Sequence, residues 1–250
     1  MTDPAADLRL RHLHELALRA HHSGRAQFTC FLEPPEEISA RTAANEADTH
    51  VWFFGGYDGA ERRVAGFSDE EIPAEDFPIA ALELRWNPKF SAPEHRDLLG
   101  AAMGLGIERD ATGDIAFGAE EGVAYFFVRE DMAGYVCANL ESAGRAHLSV
   151  SPAVEPPKFR PPEGIMVRVT VSSERLDAVI AEGCNLSRAQ AQKLIAQGLV
   201  KKNHAVELRG DIHLEEGDLL SVRGCGRMRV EALEGNTRKG RRAVRLFKYT

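Results

Sequence analysis

Apolar residues near the start of the chain recur at helical spacing. Leu10, Leu13, Leu16 and Ala20 share one face, Asp3 is a cap, Pro4 suits the first helical position and Gly24 marks the stop. "PPEEISARTAANEADT" reads as a second, mostly polar helix, and "VWFF" and "RRVAGF" as two strands bridged by the turn-rich "GGYDGAE". The pattern then predicts strand 79–86, helix 94–105, strands 114–117 and 123–128, helix 130–140 and strand 146–150. That βαββαβ order is the ferredoxin-like, split-βαβ arrangement, which RNA-recognition modules also use. "SPAVEPPKFRPPEG" breaks the pattern with Pro152, Pro156, Pro157, Pro161 and Pro162, a density that favours extended structure and predicts a linker.

Beyond the linker the helical period returns in two short stretches. The first runs from a cap at Ser172 or Ser173 through Leu176, Val179 and Ile180 to Gly183. The second starts at Ser187, where Gln190 completes a capping box, and buries Ala191, Leu194 and Ile195 before Gly198 ends it. "LVKK-NH-AVEL" then reads as a tight hairpin with Asn203 suited to positive φ, followed by the acidic turn "LEEGD" and the strands "LLSVRG", "RMRVEAL" and "RAVRLFKY". The expected class is α+β. Its parts are an N-terminal helix (1–30), a ferredoxin-like module (31–150), a Pro-rich linker (151–164) and a small C-terminal domain with a basic tail (165–250).

Composition adds little until it is divided along the chain. With 44% hydrophobic and 28% charged residues in 250, the chain is an ordinary globular one. No apolar run reaches the ~18 residues of a membrane span, and the opening "MTDPAADLRLRH" predicts no signal peptide. The net charge of −7 argues against a nucleic-acid partner. Residues 161–250, however, carry 16 basic against 11 acidic residues, leaving residues 1–160 with 15 against 27. Residues 223–250 are steeper still, with nine basic residues against Glu231 and Glu234. The asymmetry predicts a basic binding module attached to an acidic one. Cys30, Cys137, Cys184 and Cys225 lie far apart in no metal-ligand pattern and are expected to be idle or buried thiols.

The two short helices cannot form a deep substrate pocket, but they present charge where packing does not need it: Arg175, Arg188, Lys193, Lys201 and Lys202. Spacing reveals no acidic partner for them within the chain. RNA phosphate is the partner such a surface suits, because neutralising each phosphate releases condensed counterions.

These residues also carry a resemblance. "RLDAVIAEGCNLSRAQAQKLIAQGLVKKNHAV" is similar to the alpha-L RNA-binding motif of the ribosomal protein S-four type, matching at Arg175-Leu176-Asp177, Ser187-Arg188, Leu194-Ile195, Gly198, Val200 and Asn203, with His204 where glycine is usual. The resemblance implies RNA contact by Arg175, Ser187, Arg188, Gln192, Lys193, Lys201 and Lys202, and a local structural role for Asp177. The tail residues Arg238, Lys239, Arg241 and Arg242 are expected to extend that footprint. "FLEPPE", "VWFFGGYDGAERRVA", "NPKF", "HRDLLGAAMGLGIERDATGDI" and "GRAHLSV" together resemble the YlmH family. That implies a bacterial, cytoplasmic, non-enzymatic factor, a monomer off the ribosome and needing no cofactor. Its expected partners are large-subunit rRNA, tRNA as peptidyl-tRNA, and quality-control proteins, during rescue of stalled nascent chains.

Rival chemistry is weaker. "HRDLLGAA" has Ala102 where a kinase catalytic loop needs Asn, and "GLGIER" is not a dinucleotide fingerprint. His12/His14 and His21/His22 lack companion ligands at metal spacing. Tyr125, Phe126, Phe127 and Trp86 are candidates for base stacking on the module's sheet, with core packing preferred, and Arg62-Arg63 and His95-Arg96 for local RNA contacts. A pseudouridine-synthase-type RNA-modifying enzyme and a cell-division-linked scaffold stay as alternatives.

Overall fold

The computed structural model describes residues 4–236 and 241–249. The chain divides into two compact units, Met1–Pro161 and Pro162–Thr250, and its α+β class agrees with the pattern. Among the described residues no helix is long and apolar enough to cross a membrane.

The first unit begins with α1 (Pro4–Ser23), which ends as Gly24 takes φ +62°. Three strands follow around α2 (Glu36–Glu46): β1 (Gln27–Leu32), β2 (His50–Phe54) and β3 (Arg63–Ser68), ordered β1-β3-β2. The boundary expected between residues 30 and 31 falls inside β1, a strand the pattern did not predict. Leu13, Leu16, Ala17 and Ala20 pack with Ala40, Ala43 and Ala44 of α2 onto Ala65 and Phe67. Leu10, expected on that face, is exposed.

The ferredoxin-like order is present. It runs β4 (Ile79–Arg85), α3 (His95–Gly104), β5 (Thr112–Phe117), β6 (Val123–Arg129), α4 (Ala133–Asn139), a two-residue ladder of β7 (Ser142–Ala143) with β8 (Ala146–His147), and β9 (Ser149–Pro152). The strands lie β5-β6-β4-β9, each neighbour antiparallel, which is the split-βαβ topology. Glu94 and Asp97 close a capping box at the start of α3. Alternation along β6 decides the fate of its aromatics. Phe126 joins Leu82, Leu84 and Leu98 in the core on the helical side. Tyr125 and Phe127 point the other way, into a second core with Phe31, Val64 and Phe77, against the first sheet. The face on which RNA-recognition modules stack bases is therefore covered, as the core reading expected.

Two further contacts seal that face. Tyr57 stacks on Phe127 at 4.9 Å, and Phe159 lies 4.5 Å from Tyr57. Gly56 has to be glycine there, since at φ +96° a Cβ would come within 2.2 Å of the Phe127 ring. Phe159 belongs to the stretch expected to be a linker. Ala119 and Arg160 donate backbone N–H groups to Lys158 and Phe117, strapping residues 158–160 along the end of β5.

The second unit is a six-stranded antiparallel sheet carrying α5 (Leu176–Gly183) and α6 (Arg188–Ala196). Its strands are β10 (Gly164–Val171), β11 (Val200–Lys202), β12 (Ala205–Val206), β13 (Leu219–Val222), β14 (Gly226–Asn236) and β15 (Arg242–Tyr249), ordered β10-β15-β14-β13-β11-β12. The helices bury Leu176, Val179, Ile180, Ala191 and Ile195 against Leu220, Met228, Val244 and Leu246. Each buried Val, Leu, Ile or Met side chain among them contributes about 1.5–3 kcal/mol of hydrophobic stabilisation. Cys184 and Cys225 form a disulfide, correcting the expectation of idle thiols. Spacing could not show it, because the two meet only once α5 has packed on the β13–β14 turn. Cys30 and Cys137 are free.

Candidate nucleic-acid interface

Helix α5 begins without the serine cap that its sequence promised. Its N-cap is Arg175, and no side chain caps it. The returning segment 210–214 does the work instead: Leu176 and Asp177 donate their N–H groups to the Ile212 and Gly210 carbonyls, at 2.9 and 3.0 Å. This segment packs closely enough that a Cβ on Gly210 would lie 3.2 Å from Asp177 Cβ. Asp177 is thereby fully buried at the start of a helix.

The buried carboxylate gathers three of the expected RNA-contact residues. Arg175 donates Nε to Oδ1 at 3.2 Å and Nη2 to Oδ2 at 3.1 Å. Arg188 mirrors it, with Nη2 to Oδ1 at 3.1 Å and Nε to Oδ2 at 3.2 Å. Gln192, one turn along α6, donates to Oδ2 at 2.9 Å. Burial pushes the Asp177 pKa up, but the hydrogen bonds from Arg175, Arg188 and Gln192 outweigh it and hold the group at about 2. The expectation that these arginines lack an internal acid is corrected; the partner sits two residues from one and eleven from the other, across a helix junction that periodicity does not span.

Each guanidinium spends two of its five N–H donors on Asp177. Three remain on each. The side chains stay 34% and 46% exposed, so part of each is within reach of an outside acceptor. The cluster carries one net positive charge and two oriented forks, a geometry that matches phosphate oxygens.

Ser187 caps α6: its Oγ accepts from Gln190 N at 3.2 Å while Gln190 Oε1 accepts from Ser187 N at 2.8 Å. Its first assignment is structural, worth about 1 kcal/mol. Lys202 is paired with the nearly buried Asp218, 2.9 Å away. Asp218 also accepts from Asn203 Nδ2 and from Glu215 N, both at 2.8 Å, so the acidic turn fixes the hairpin. That hairpin turns through Asn203 at φ +47° and His204 at φ +70°, the two-residue loop expected, with histidine in a position that favours glycine. Lys193 and Lys201 are exposed. Neither forms an ion pair with a described residue.

The tail residues are more committed than expected. Arg241 donates to the Thr170 carbonyl at 2.6 Å and pairs with Glu182, and Arg242 pairs with Glu174 at 3.4 Å. Arg238 and Lys239 lie outside the described residues. In the first unit, Arg62 is buried and so withdrawn from the surface, whereas Arg63 makes two hydrogen bonds of 2.7 and 2.6 Å to Glu37 and stays 36% exposed. Asp177 has the local structural role that the resemblance implied, and the anchor that sequence reasoning missed is Asp218 of "EEGD", which meets Lys202 and Asn203 only through space. No group of three or more His, Cys, Asp or Glu among the described residues is placed to hold a metal ion.

Residues 174–220 match the S4 domain, and residues 73–154 match the family described as "Putative RNA-binding domain in YlmH". The chain is 39% identical over 218 residues to the ribosome-associated protein quality control protein P2 of Bacillus subtilis (strain 168), covering 86% of this chain and 84% of that protein. Among solved structures, the cell division protein ylmH from Streptococcus pneumoniae superposes with a TM-score of 0.50 at 21% identity, covering 61% of this chain and 93% of that one, a likeness of fold.

Proposed function

Since the chain belongs to the YlmH family, we propose that it is a ribosome-associated RNA-binding factor that acts by binding rather than by catalysis. It engages the large ribosomal subunit through rRNA and tRNA and assists the rescue of stalled nascent chains, in the cytoplasm of a bacterium. The observation that carries the reading is the pair of guanidinium forks held outward by Asp177 at the α5–α6 junction. Such a site grips phosphates in a fixed arrangement and reads shape more than base sequence. The relative named as a ribosome-associated quality control protein supports the setting.

The test is gradient co-sedimentation of the purified chain with separated ribosomal subunits, with and without peptidyl-tRNA, beside an Arg188→Glu/Lys193→Glu double variant. The wild type should migrate with the large subunit, more so with peptidyl-tRNA, and the variant should not. Contact with about five phosphates gives a slope of log affinity on log salt near −4. A slope near zero, or equal migration of the variant, overturns the reading.

A further inference from the structure

Asp177 is the least expected member of an RNA-binding surface: an acid, wholly buried, beneath the cations. Simple electrostatics makes it a liability, since a negative charge there repels phosphate. Its hydrogen bonds point the other way. Oδ1 accepts from both arginines and Oδ2 accepts from both arginines and Gln192, so all five bonds are made to residues of the candidate surface. Free arginine side chains sample many rotamers, and ordering them on binding carries an entropic cost. Here the ordering is complete before RNA arrives. Lys193 and Lys201, exposed and without an ion-pair partner among the described residues, have no such anchor.

We infer that Asp177 is a positioning residue that sets RNA specificity, by fixing Arg175 and Arg188 as a rigid two-pronged phosphate reader, while Lys193 and Lys201 supply attraction that does not discriminate. The inference rests on the RNA-binding reading given above. It separates two quantities that charge counting merges. Anchored forks fit only phosphates at one spacing and angle; mobile ammonium groups follow any phosphate.

The discriminating perturbation is Asp177→Asn in the full chain. It keeps the volume and removes a negative charge, so electrostatics alone predicts tighter binding to every RNA. It also turns one acceptor oxygen into an NH2 group facing guanidinium donors, which removes at least two of the five bonds. The probes are the purified large ribosomal subunit and a mixed-sequence RNA duplex, each titrated across salt. On the inference, Asp177→Asn loses about tenfold in affinity for the subunit, binds the duplex at least as tightly as wild type, and keeps its salt slope within about one unit. Lys193→Ala and Lys201→Ala should instead weaken both probes alike, each lowering the slope by about 0.7–0.9. A general loss of fold would lower both affinities together and appear in far-UV circular dichroism. If Asp177→Asn does not fold, Arg175→Lys/Arg188→Lys preserves every charge and removes both forks, and should show the same selective loss.

Undiminished subunit binding by Asp177→Asn, or by the folded lysine pair, overturns the inference and leaves RNA binding intact. A wild type that shows no preference for the subunit over the duplex fails at an earlier point, and takes with it both the ribosomal reading and the specificity assigned to Asp177.

Discussion

Arg62 offers the sharpest test of the packing argument, because its sequence context and its structural position point in opposite directions. In the sequence it is one of a basic pair available to RNA. In the structure its side chain is 8% exposed and binds four groups. Nε donates to the Thr112 carbonyl at 2.9 Å, Nη2 to the carbonyls of Arg109 and Phe31 at 3.0 and 3.2 Å, and Nη1 to Glu33 at 3.2 Å. It thus ties β1 to the start of β5. Arg62→Ala opens a void and takes a donor from the Thr112 and Phe31 carbonyls, while the Arg109 carbonyl keeps the Thr112 hydroxyl at 2.9 Å. Each buried acceptor left dry costs about 1–3 kcal/mol, and water entering the void recovers part of that, so the loss should be about 2–4 kcal/mol. Trp52 and Trp86 are the chain's two tryptophans and both belong to Met1–Pro161, so their fluorescence reports unfolding of that unit. With a urea dependence of about 2 kcal/mol per molar, the midpoint should fall by roughly 1–2 M. Ribosome affinity measured below the transition should not change. A midpoint within about 0.3 M of wild type, equivalent to under 1 kcal/mol, refutes the hub, and unchanged stability with lost affinity would restore Arg62 to the RNA surface.

Other consequences are more local. His204→Gly should stabilise the second unit by about 0.5–1 kcal/mol in thermal unfolding, since His204 holds φ +70° where glycine is unstrained; a destabilised variant would show that the histidine makes up that cost elsewhere. Reductant should lower the stability of the second unit by about 2–4 kcal/mol, because the Cys184–Cys225 bond closes a 41-residue separation that spans α6 and the hairpin. Cys184→Ser should start at the lower value and ignore reductant, whereas a wild type indifferent to reductant contradicts the cross-link. The Asp177 pKa of about 2 lies below the ordinary carboxylate value of 3.8, so its stabilisation is complete above pH ~4 and disappears as pH falls through about 2. Hydrogen exchange of α5 and α6 amides should accelerate over that window by the equivalent of at most ~2 kcal/mol, the partly exposed arginines being screened; acceleration beginning near pH 6 would mean another group titrates.

What could be read before the structure was what repeats locally. The alternation in "VAYFFVRE" and the flanking helical periods give the ferredoxin-like order, because each element's pattern is set by its own buried face. Ser187 and Gln190 announced the start of α6 because a capping box lies within four residues. The misses involve partners that meet through space. β1 pairs with β3, more than thirty residues away in sequence, and "QFTCFL" alone shows no clean alternation. The α5 cap comes from carbonyls at Gly210 and Ile212, whose approach depends on the whole hairpin. Arg62 is read as surface by residue type and becomes buried only because β1 and β5 bring carbonyls to it.

The same distinction governs the candidate site, and it changes what a charge count means. Five cations at the α5–α6 junction and hairpin look alike in sequence, yet three of them, Arg175, Arg188 and Lys202, are held by Asp177 and Asp218. Those two acids lower the surface charge and raise its order. A purely electrostatic surface would discard them, since each weakens long-range attraction to phosphate. A surface that must recognise one arrangement of phosphates among many gains from them, because an unanchored cation finds a partner on any RNA. On the proposed reading the buried carboxylates beneath the arginines and the hairpin lysine are part of recognition, and of the five cations the exposed Lys193 and Lys201 are the two that the simple charge count describes.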